Sequence, residues 1–326
     1  MLVHTNNSNN HKFGEKMNGK FGIFAIPDSK QFASDVCKSL KIDLGKLTFK
    51  DFSDGEWHCQ FQQNIRGMDV FIIASTQPPI DHWFQLWIAI DAAKRAKARR
   101  ITAVIPYYGY ARQERKSEPR VPITAKMVAI FTEKVGAHLI LTMDLHAPAI
   151  EGFFEIPVDP LWAADTILES MIPTLSGRII AVAPDHGAAK TVGGIAKRYN
   201  WPLRIIDKNR PEDNKVDKAI LHCSVVDGIC VIIDDLIDTA GTICSAVAEL
   251  LSEGAKEVHV MIPHAVLSGS ALERISESKV TKIWIADTIK LKKTHKKIKV
   301  VSVSSLFGKA ISNIHNEESI SSLFPK

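Results

Sequence analysis

The segment Val231-Ile232-Ile233-Asp234-Asp235-Leu236-Ile237-Asp238-Thr239-Ala240-Gly241-Thr242-Ile243 sets three carboxylates at the end of an apolar run. Asp234 and Asp235 are adjacent, and paired carboxylates are good acceptors for two neighbouring hydroxyls. The turn that follows, opening a helix near Ile243, aims backbone N–H groups at whatever fills the loop, and the Thr239 and Thr242 hydroxyls suit the same task. Amides and hydroxyls suit a phosphate, which adjacent carboxylates repel. The two halves of the segment therefore serve different parts of one ligand, and a sugar phosphate satisfies both. An N-capping aspartate beside surface acids explains Asp238 but not three acids after a buried strand.

Five other stretches carry chemistry-bearing residues. Tyr110-Ala111-Arg112-Gln113-Glu114-Arg115-Lys116 brings three cations onto one loop, which is either a solvated basic loop or a group that neutralises a polyphosphate. Asp54-Gly55-Glu56 reads as a turn between two short strands; most such pairs are only hairpin turns, although the flanking acids can accept from an amino group or meet a cation. Asp144-Leu145-His146 and Asp185-His186-Gly187 each end an apolar strand, where a histidine is more often a structural hydrogen-bonder than a metal ligand. Lys208 and Arg210 lie in the polar run Asp207-Lys208-Asn209-Arg210-Pro211, long cations able to fold over a bound polyphosphate.

These residues need a scaffold that gathers strand ends. From Phe21 onward, short β-branched runs alternate with helical patterns: Val70 to Ala74, Ile101 to Pro106, Leu139 to Met143, Ile179 to Ala183, Leu203 to Ile206, Ile229 to Ile233, Glu257 to Ile262 and Lys282 to Ala286. Such alternation predicts an α/β fold with mostly parallel central sheets flanked by helices, in which ligands sit outside the carboxyl ends of the strands. The stretches beginning Val70-Phe71-Ile72-Ile73 and Ile229-Cys230-Val231-Ile232 share one plan of strand, polar loop, amphipathic helix, basic turn and second strand. Two similar domains in tandem follow, with a boundary near Pro157.

Composition narrows the class. The chain has 326 residues, 45% hydrophobic and 24% charged, which suits a folded protein rather than a disordered one. No apolar run could cross a bilayer and the first residues hold no signal-type stretch, so the expected location is cytoplasmic with no membrane partner. The five cysteines show no metal-type spacing and read as reduced thiols. Much of the net charge of +5 comes from lysines at 290, 292, 293, 296, 297 and 299, read as a solvated stretch rather than a nucleic-acid surface. Residues 1–18, rich in Asn, are expected to form a disordered extension.

Taken with Phe52-Ser53-Asp54-Gly55-Glu56-Trp57, Pro122-Ile123-Thr124-Ala125-Lys126-Met127, the Asp144 to Phe154 stretch, Ala183 to Lys190, Ile205 to Pro211 and the C-terminal Glu318-Ser319-Ile320-Ser321-Ser322-Leu323-Phe324, the acidic strand end resembles the ribose-phosphate pyrophosphokinase family, also called phosphoribosyl pyrophosphate synthetases. The resemblance covers about residues 20 to 326. It implies two tandem domains of the phosphoribosyltransferase type: 19–156, joined by the C-terminal segment 305–326, and 157–304. It also implies transfer of a diphosphoryl group from magnesium ATP to the 1-hydroxyl of ribose 5-phosphate, giving phosphoribosyl pyrophosphate and AMP for nucleotide biosynthesis. By the same resemblance Lys208 and Arg210 are catalytic, and Phe52, Asp54, Gly55, Glu56, Arg112 and Gln113 contact ATP, the first four completing the site of a neighbouring subunit. Arg210, Asp234, Asp235, Asp238, Thr239, Ala240, Gly241 and Thr242 bind ribose 5-phosphate, His146 and Asp185 hold magnesium, and the assembly is a homohexamer or smaller even oligomer.

Two positions depart from the family pattern. Glu114 stands where the family usually has Asp, and Glu118 and Pro119 stand where basic or small residues are frequent, which lowers the density of positive charge on that loop. Two competing readings remain. A phosphoribosyltransferase accounts for residues 231 to 243 but leaves the Arg112 loop, the Asp54 turn and the duplicated plan unused. A non-catalytic regulatory homologue is opposed by the presence of Lys208, Arg210, His146 and Asp185.

Overall fold

The computed structural model describes residues 19–206 and 223–324. The expected N-terminal extension and the pair Lys208 and Arg210 lie outside the described residues. The first half of the chain runs β1 (Phe21–Ala25), α1 (Lys30–Leu40), β2 (Leu47–Asp51), β3 (Trp57–Phe61), β4 (Asp69–Ile73), α2 (Asp81–Arg95), β5 (Arg100–Ile105), α3 (Thr124–Val135), β6 (Leu139–Met143) and β7 (Val158–Leu161). The second half runs α4 (Ala164–Met171), β8 (Ile179–Ala183), α5 (Ala189–Tyr199), β9 (Leu203–Ile205), β10 (Ile229–Ile233), β11 (Leu236–Ile237), α6 (Gly241–Ser252), β12 (Glu257–Ile262), β13 (His264–Ala265), α7 (Ala271–Glu277), β14 (Lys282–Ala286), β15 (Ile298–Val301) and α8 (Ser304–Asn316).

Two all-parallel sheets organise these elements, one in the order β1-β4-β5-β6-β7 and the other β15-β14-β12-β10-β8-β9. Central strands such as Asp69–Ile73 and Ile229–Ile233 are buried at every position, as a parallel sheet covered on both faces requires. The repeated plan is present as β4-α2-β5 and β10-α6-β12, each a parallel strand pair bridged by a helix. Helix α6 buries Ile243, Ala246, Val247 and Leu250, the i, i+3, i+4, i+7 stripe of a helix lying on a sheet.

Three apolar cores result. One lies between the first sheet and α2 and α3, around Trp83, Ile90 and Val128; another lies between the second sheet and α6, around Val247 and Ile262. The third is shared, joining Ile23, Phe71 and Leu141 of the first sheet to Val231, Met261 and Trp284 of the second, with Phe307 and Ile311 of α8. Helix α8 lies on α1, where the Phe307 and Phe32 rings meet edge to face at 5.4 Å. Its far end is anchored to the first sheet by the buried Asp69. That carboxylate accepts from Arg99 Nε at 3.0 Å and Arg100 Nη2 at 2.6 Å and lies 2.9 Å from His315 Nδ1, while Arg100 also donates to the Ile314 carbonyl.

Two strands depart from the sequence expectation. β7 carries Pro160 and sits at the sheet edge, where a missing N–H costs least, so the first sheet runs past residue 156. The lysine-rich stretch read as solvated runs into β15, whose alternation is blurred by Lys299 and whose place is also at an edge. Within the same stretch, Lys297 Nζ donates to the carbonyls of Ile275, Ser276 and Ser278 at 3.1, 2.9 and 2.6 Å, capping α7.

Candidate functional site

The carboxyl ends of β6, β8 and β10 deliver Asp144, Asp185 and Asp234 in turn. Asp234 and Asp235 follow Ile233 directly, and the Asp235 amide donates to Asp234 Oδ1 at 3.0 Å. Burial, and then the neighbouring Asp235, push the Asp234 carboxyl well above the ordinary range; the Asp185 charge adds to this. Burial also opposes ionisation of Asp235, but the hydrogen bond and charge of His146 outweigh it and hold that carboxyl low. Asp144 has its carboxyl pushed up to about 7 by burial, against the amide of Ala163, which donates to its Oδ2 at 2.9 Å. Asp144 and Asp234, whose carboxyls resist ionisation, make a setting that a nearby cation would relieve.

His146 reaches across from the first sheet to the second. Its Nδ1 lies 2.8 Å from Asp235 Oδ2, and that hydrogen bond raises the imidazole pKa. A carboxylate on Nδ1 fixes the tautomer that leaves the Nε2 lone pair for a ligand, the arrangement in which histidines bind metals. No group of three or more His, Cys, Asp or Glu side chains among the described residues forms a metal cage.

After Asp235 the chain forms the short strand β11 and then Asp238, Thr239 and Ala240. Ala240 adopts a left-handed conformation, φ 61°, and starts α6 at Gly241, two residues ahead of the expected Ile243. The first amides of α6 and the exposed Thr239 and Thr242 thus stand together at a helix N-terminus. Two groups brace the turn from behind: the Ser268 hydroxyl donates to Asp238 Oδ1, and Arg274 Nη1 donates to the Thr239 carbonyl at 2.9 Å.

The basic loop after β5 faces this turn. Arg112 Nη1 donates to Asp238 Oδ2 at 2.8 Å, spanning the two halves of the chain. Burial opposes ionisation of Asp238, but Ser268 and Arg112 more than offset it and hold the carboxyl below its usual range. Gln113 is tied down differently, its Oε1 accepting from Thr124 Oγ1 at 2.5 Å at the start of α3. Arg115 turns outward with its side chain 84% exposed, beside Glu114.

Phe52, Asp54, Gly55 and Glu56 form the tip of the β2–β3 hairpin. The Phe52 amide donates to the Glu56 carbonyl at 2.9 Å, the Glu56 amide donates to Asp54 Oδ1 at 3.0 Å, and Gly55 takes φ 90°, open to glycine without strain. Phe52 is 45% exposed, with Lys50 Nζ 5.2 Å from its ring centre. Among the described residues no hydrogen bond or ion pair links this tip to the strand-end cluster of the same chain.

The chain matches the family description "N-terminal domain of ribose phosphate pyrophosphokinase" over residues 21–136 and "Phosphoribosyl synthetase-associated domain" over residues 205–325. Ribose-phosphate pyrophosphokinase of Oceanobacillus iheyensis is 42% identical over 305 residues, covering 93% of this chain and 96% of the relative. The chain belongs to the ribose-phosphate pyrophosphokinase family. The Halalkalibacterium halodurans ribose-phosphate pyrophosphokinase is 43% identical over the same coverage, 93% and 96%. The crystal structure of phosphoribosylpyrophosphate synthetase from Mycobacterium smegmatis superposes with a TM-score of 0.84 at 34% identity, over 92% of this chain and all of that one. Ribose-phosphate pyrophosphokinase kinship therefore spans both halves of the molecule and the cleft between them.

Two features of this family member escaped the sequence reading. The Arg112–Asp238 pair joins positions 126 residues apart, and nothing local announces it. His264, 2% exposed and enclosed by both halves, left one faint trace: an imidazole set between Pro263 and the apolar Ala265-Val266-Leu267.

Proposed function

We propose that the protein transfers the diphosphoryl group of magnesium ATP to the 1-hydroxyl of ribose 5-phosphate. The reading is carried by one observation: the paired acids after β10, bonded to His146 of the other half, open onto a helix N-terminus that Arg112 faces. In this reading Asp234 and Asp235 accept from the ribose 2- and 3-hydroxyls. Residues Asp238, Thr239, Ala240, Gly241 and Thr242 enclose the 5-phosphate with the first amides of α6. Arg112 and Gln113 meet the nucleotide, Lys208 and Arg210 act on the transferring group, and His146 and Asp185 hold magnesium. Held there, the metal would supply positive charge to offset that of the phosphates.

The sugar oxygen forms a bond to the β-phosphorus while the bond from that phosphorus to the α,β-bridging oxygen breaks, the oxygen and its electron pair leaving on AMP, and the hydroxyl proton passes to solvent. Positioning and charge neutralisation supply most of the catalysis in such a transfer. We read 19–156 with 305–326, and 157–304, as the two domains, with β7 at residues 158–161 lying beyond that boundary yet pairing with the first sheet, and the Phe52–Glu56 tip as serving a neighbouring subunit of an even homo-oligomer, a hexamer by family likeness. The exposed apolar face formed by Phe84 of α2 with Met127, Ile130 and Phe131 of α3 supports association. Among the described residues no helix is long and apolar enough to cross a membrane.

The test is to incubate the protein with ATP, magnesium and ribose 5-phosphate and separate the nucleotides. AMP formed only when the sugar is present is the expected result. Sugar-dependent ADP without AMP assigns an ordinary kinase, and no nucleotide turnover assigns a non-catalytic homologue.

A further inference from the structure

His264 sits where the two sheets meet, and its contacts form a closed circuit around the proposed metal-binding histidine. Its backbone amide donates to the Asp235 carbonyl at 3.1 Å, within the short β11–β13 pairing. Its ring Nε2 lies 3.2 Å from the Met143 carbonyl and 3.1 Å from the Asp144 carbonyl, at the end of β6. His146, two residues beyond Asp144, returns to Asp235 through the 2.8 Å bond between Nδ1 and Oδ2. One residue thus holds both chains whose side chains form the Asp235–His146 pair.

The ring itself is fixed from three sides. Nδ1 lies 2.9 Å from the hydroxyl of the buried Thr288, whose carbonyl accepts from the Ser75 hydroxyl beyond β4. The Tyr107 ring packs against the imidazole at 5.1 Å between centroids. The cavity beside it, lined by Tyr107, Asp144, His146 and Asp235, is about 10 Å³, room for no more than one water. Asp144, whose carbonyl the ring meets, turns the chain with φ 40°, a conformation an L residue holds only when its surroundings over-determine it. Nε2 directed at two carbonyls must carry the proton, so His264 is a donor there and neither a metal ligand nor a base.

We propose that His264 is a positioning residue, holding the Asp144-Leu145-His146 turn of one half in register with Asp235 of the other. The proposal rests on the reading of His146 and Asp235 as site residues. It deepens that reading by naming what sets their separation. Displacements of about an ångström at such a site can cost 10²-fold in rate.

Three variants test it. His264→Leu keeps the volume but leaves two carbonyls without a donor; His264→Gln keeps one; Thr288→Val removes the group behind Nδ1 while leaving the ring. The expected order of turnover loss is His264→Leu (roughly 10- to 100-fold), then Thr288→Val and His264→Gln (within about 10-fold), with KM for ATP little changed. In the double variant with His146→Ala, His264→Leu should add no more than about twofold, since the residue it positions is gone. A crystal structure of the metal-free His264→Leu protein should show the Nδ1-to-Oδ2 separation opened beyond hydrogen-bonding distance. If that pair stays at its wild-type distance, or if the losses of His264→Leu and His146→Ala multiply, the proposal is overturned. Should His264→Leu fail to fold, Thr288→Val and His264→Gln decide alone, and wild-type turnover in both overturns it. Because the crystallographic separation needs no turnover, this result is independent of whether the wild type makes AMP.

Discussion

Arg112 is held by Asp238 in the absence of ligand, and a bound polyphosphate has to compete for it. The Arg112 side chain is 49% exposed and that of Asp238 23%, so the pair is worth about 0.2–1 kcal/mol, as for other solvent-accessible ion pairs. A charge-assisted bond from the guanidinium to a phosphate contributes about 1.5–3 kcal/mol. Subtracting the cost of release leaves about 0.5–3 kcal/mol, so Arg112→Ala should weaken magnesium ATP binding by roughly 2- to 150-fold. Asp238→Asn removes the competitor and should act in the opposite direction, tightening ATP by up to about fivefold at low salt, with the gain fading as salt rises. The same substitution should weaken ribose 5-phosphate, whose phosphate loop it belongs to. Titration calorimetry with each substrate alone measures all of these, and the double variant should match Arg112→Ala for ATP. If Asp238→Asn weakens ATP as much as Arg112→Ala does, Asp238 orients Arg112 for the nucleotide instead of withholding it, and the competition does not exist.

Other perturbations have equally definite outcomes. Asp69→Asn removes the charge shared by Arg99, Arg100 and His315 and should cost about 3 kcal/mol, at the low end for a broken buried pair because both guanidiniums keep some solvent; a melting scan should fall by roughly 5 °C. Burial opposes ionisation of Asp69, but its partners hold the carboxyl below 3.8, so this stability is present above that pH and lost only as pH falls through the lowered value. Asp144→Asn should have the reverse sign. The Asp144 carboxyl is raised to about 7, so the wild type loses stability between about pH 4 and 7 while the variant does not. In chelator the variant should melt higher above pH 7 by the equivalent of about 4 kcal/mol and match the wild type below pH 4; a constant difference across pH would refute the assignment. Finally, an Asp54→Ala, Glu56→Ala protein and a Lys208→Ala protein, each nearly inactive, should regain activity on co-assembly, with about a quarter of sites wholly wild type. Verified mixed oligomers with no gain would place the hairpin tip in its own chain's site or outside any.

The strands that carry the site were legible because parallel strands buried on both faces read as unbroken apolar runs. Leu139–Met143, Ile179–Ala183, Ile229–Ile233, Glu257–Ile262 and Lys282–Ala286 begin and end where their residue types change. Two of the four edge strands were not, since Val158–Leu161 and Ile298–Val301 mix apolar residues with Pro160 and Lys299, as edges tolerate, whereas the edge strands Phe21–Ala25 and Leu203–Ile205 were anticipated. For the site the division is similar. Asp234, Asp235 and Asp238 announce themselves as charges out of place after a hydrophobic strand. The bonds of His146 to Asp235 and of Arg112 to Asp238 are set by how two sheets dock, which no local pattern encodes.

The apolar core common to both sheets bears on how the enzyme can move. Phe71 and Leu141 share it with Val231 and Met261, and α8 returns from the second half to complete it against α1. Halves that met through a polar, watery seam could swing open and shut on a hinge between them, whereas a large hydrophobic junction resists such rotation. Such a junction couples the two halves into one frame. A protease cut between the halves should leave them associated rather than release two soluble fragments.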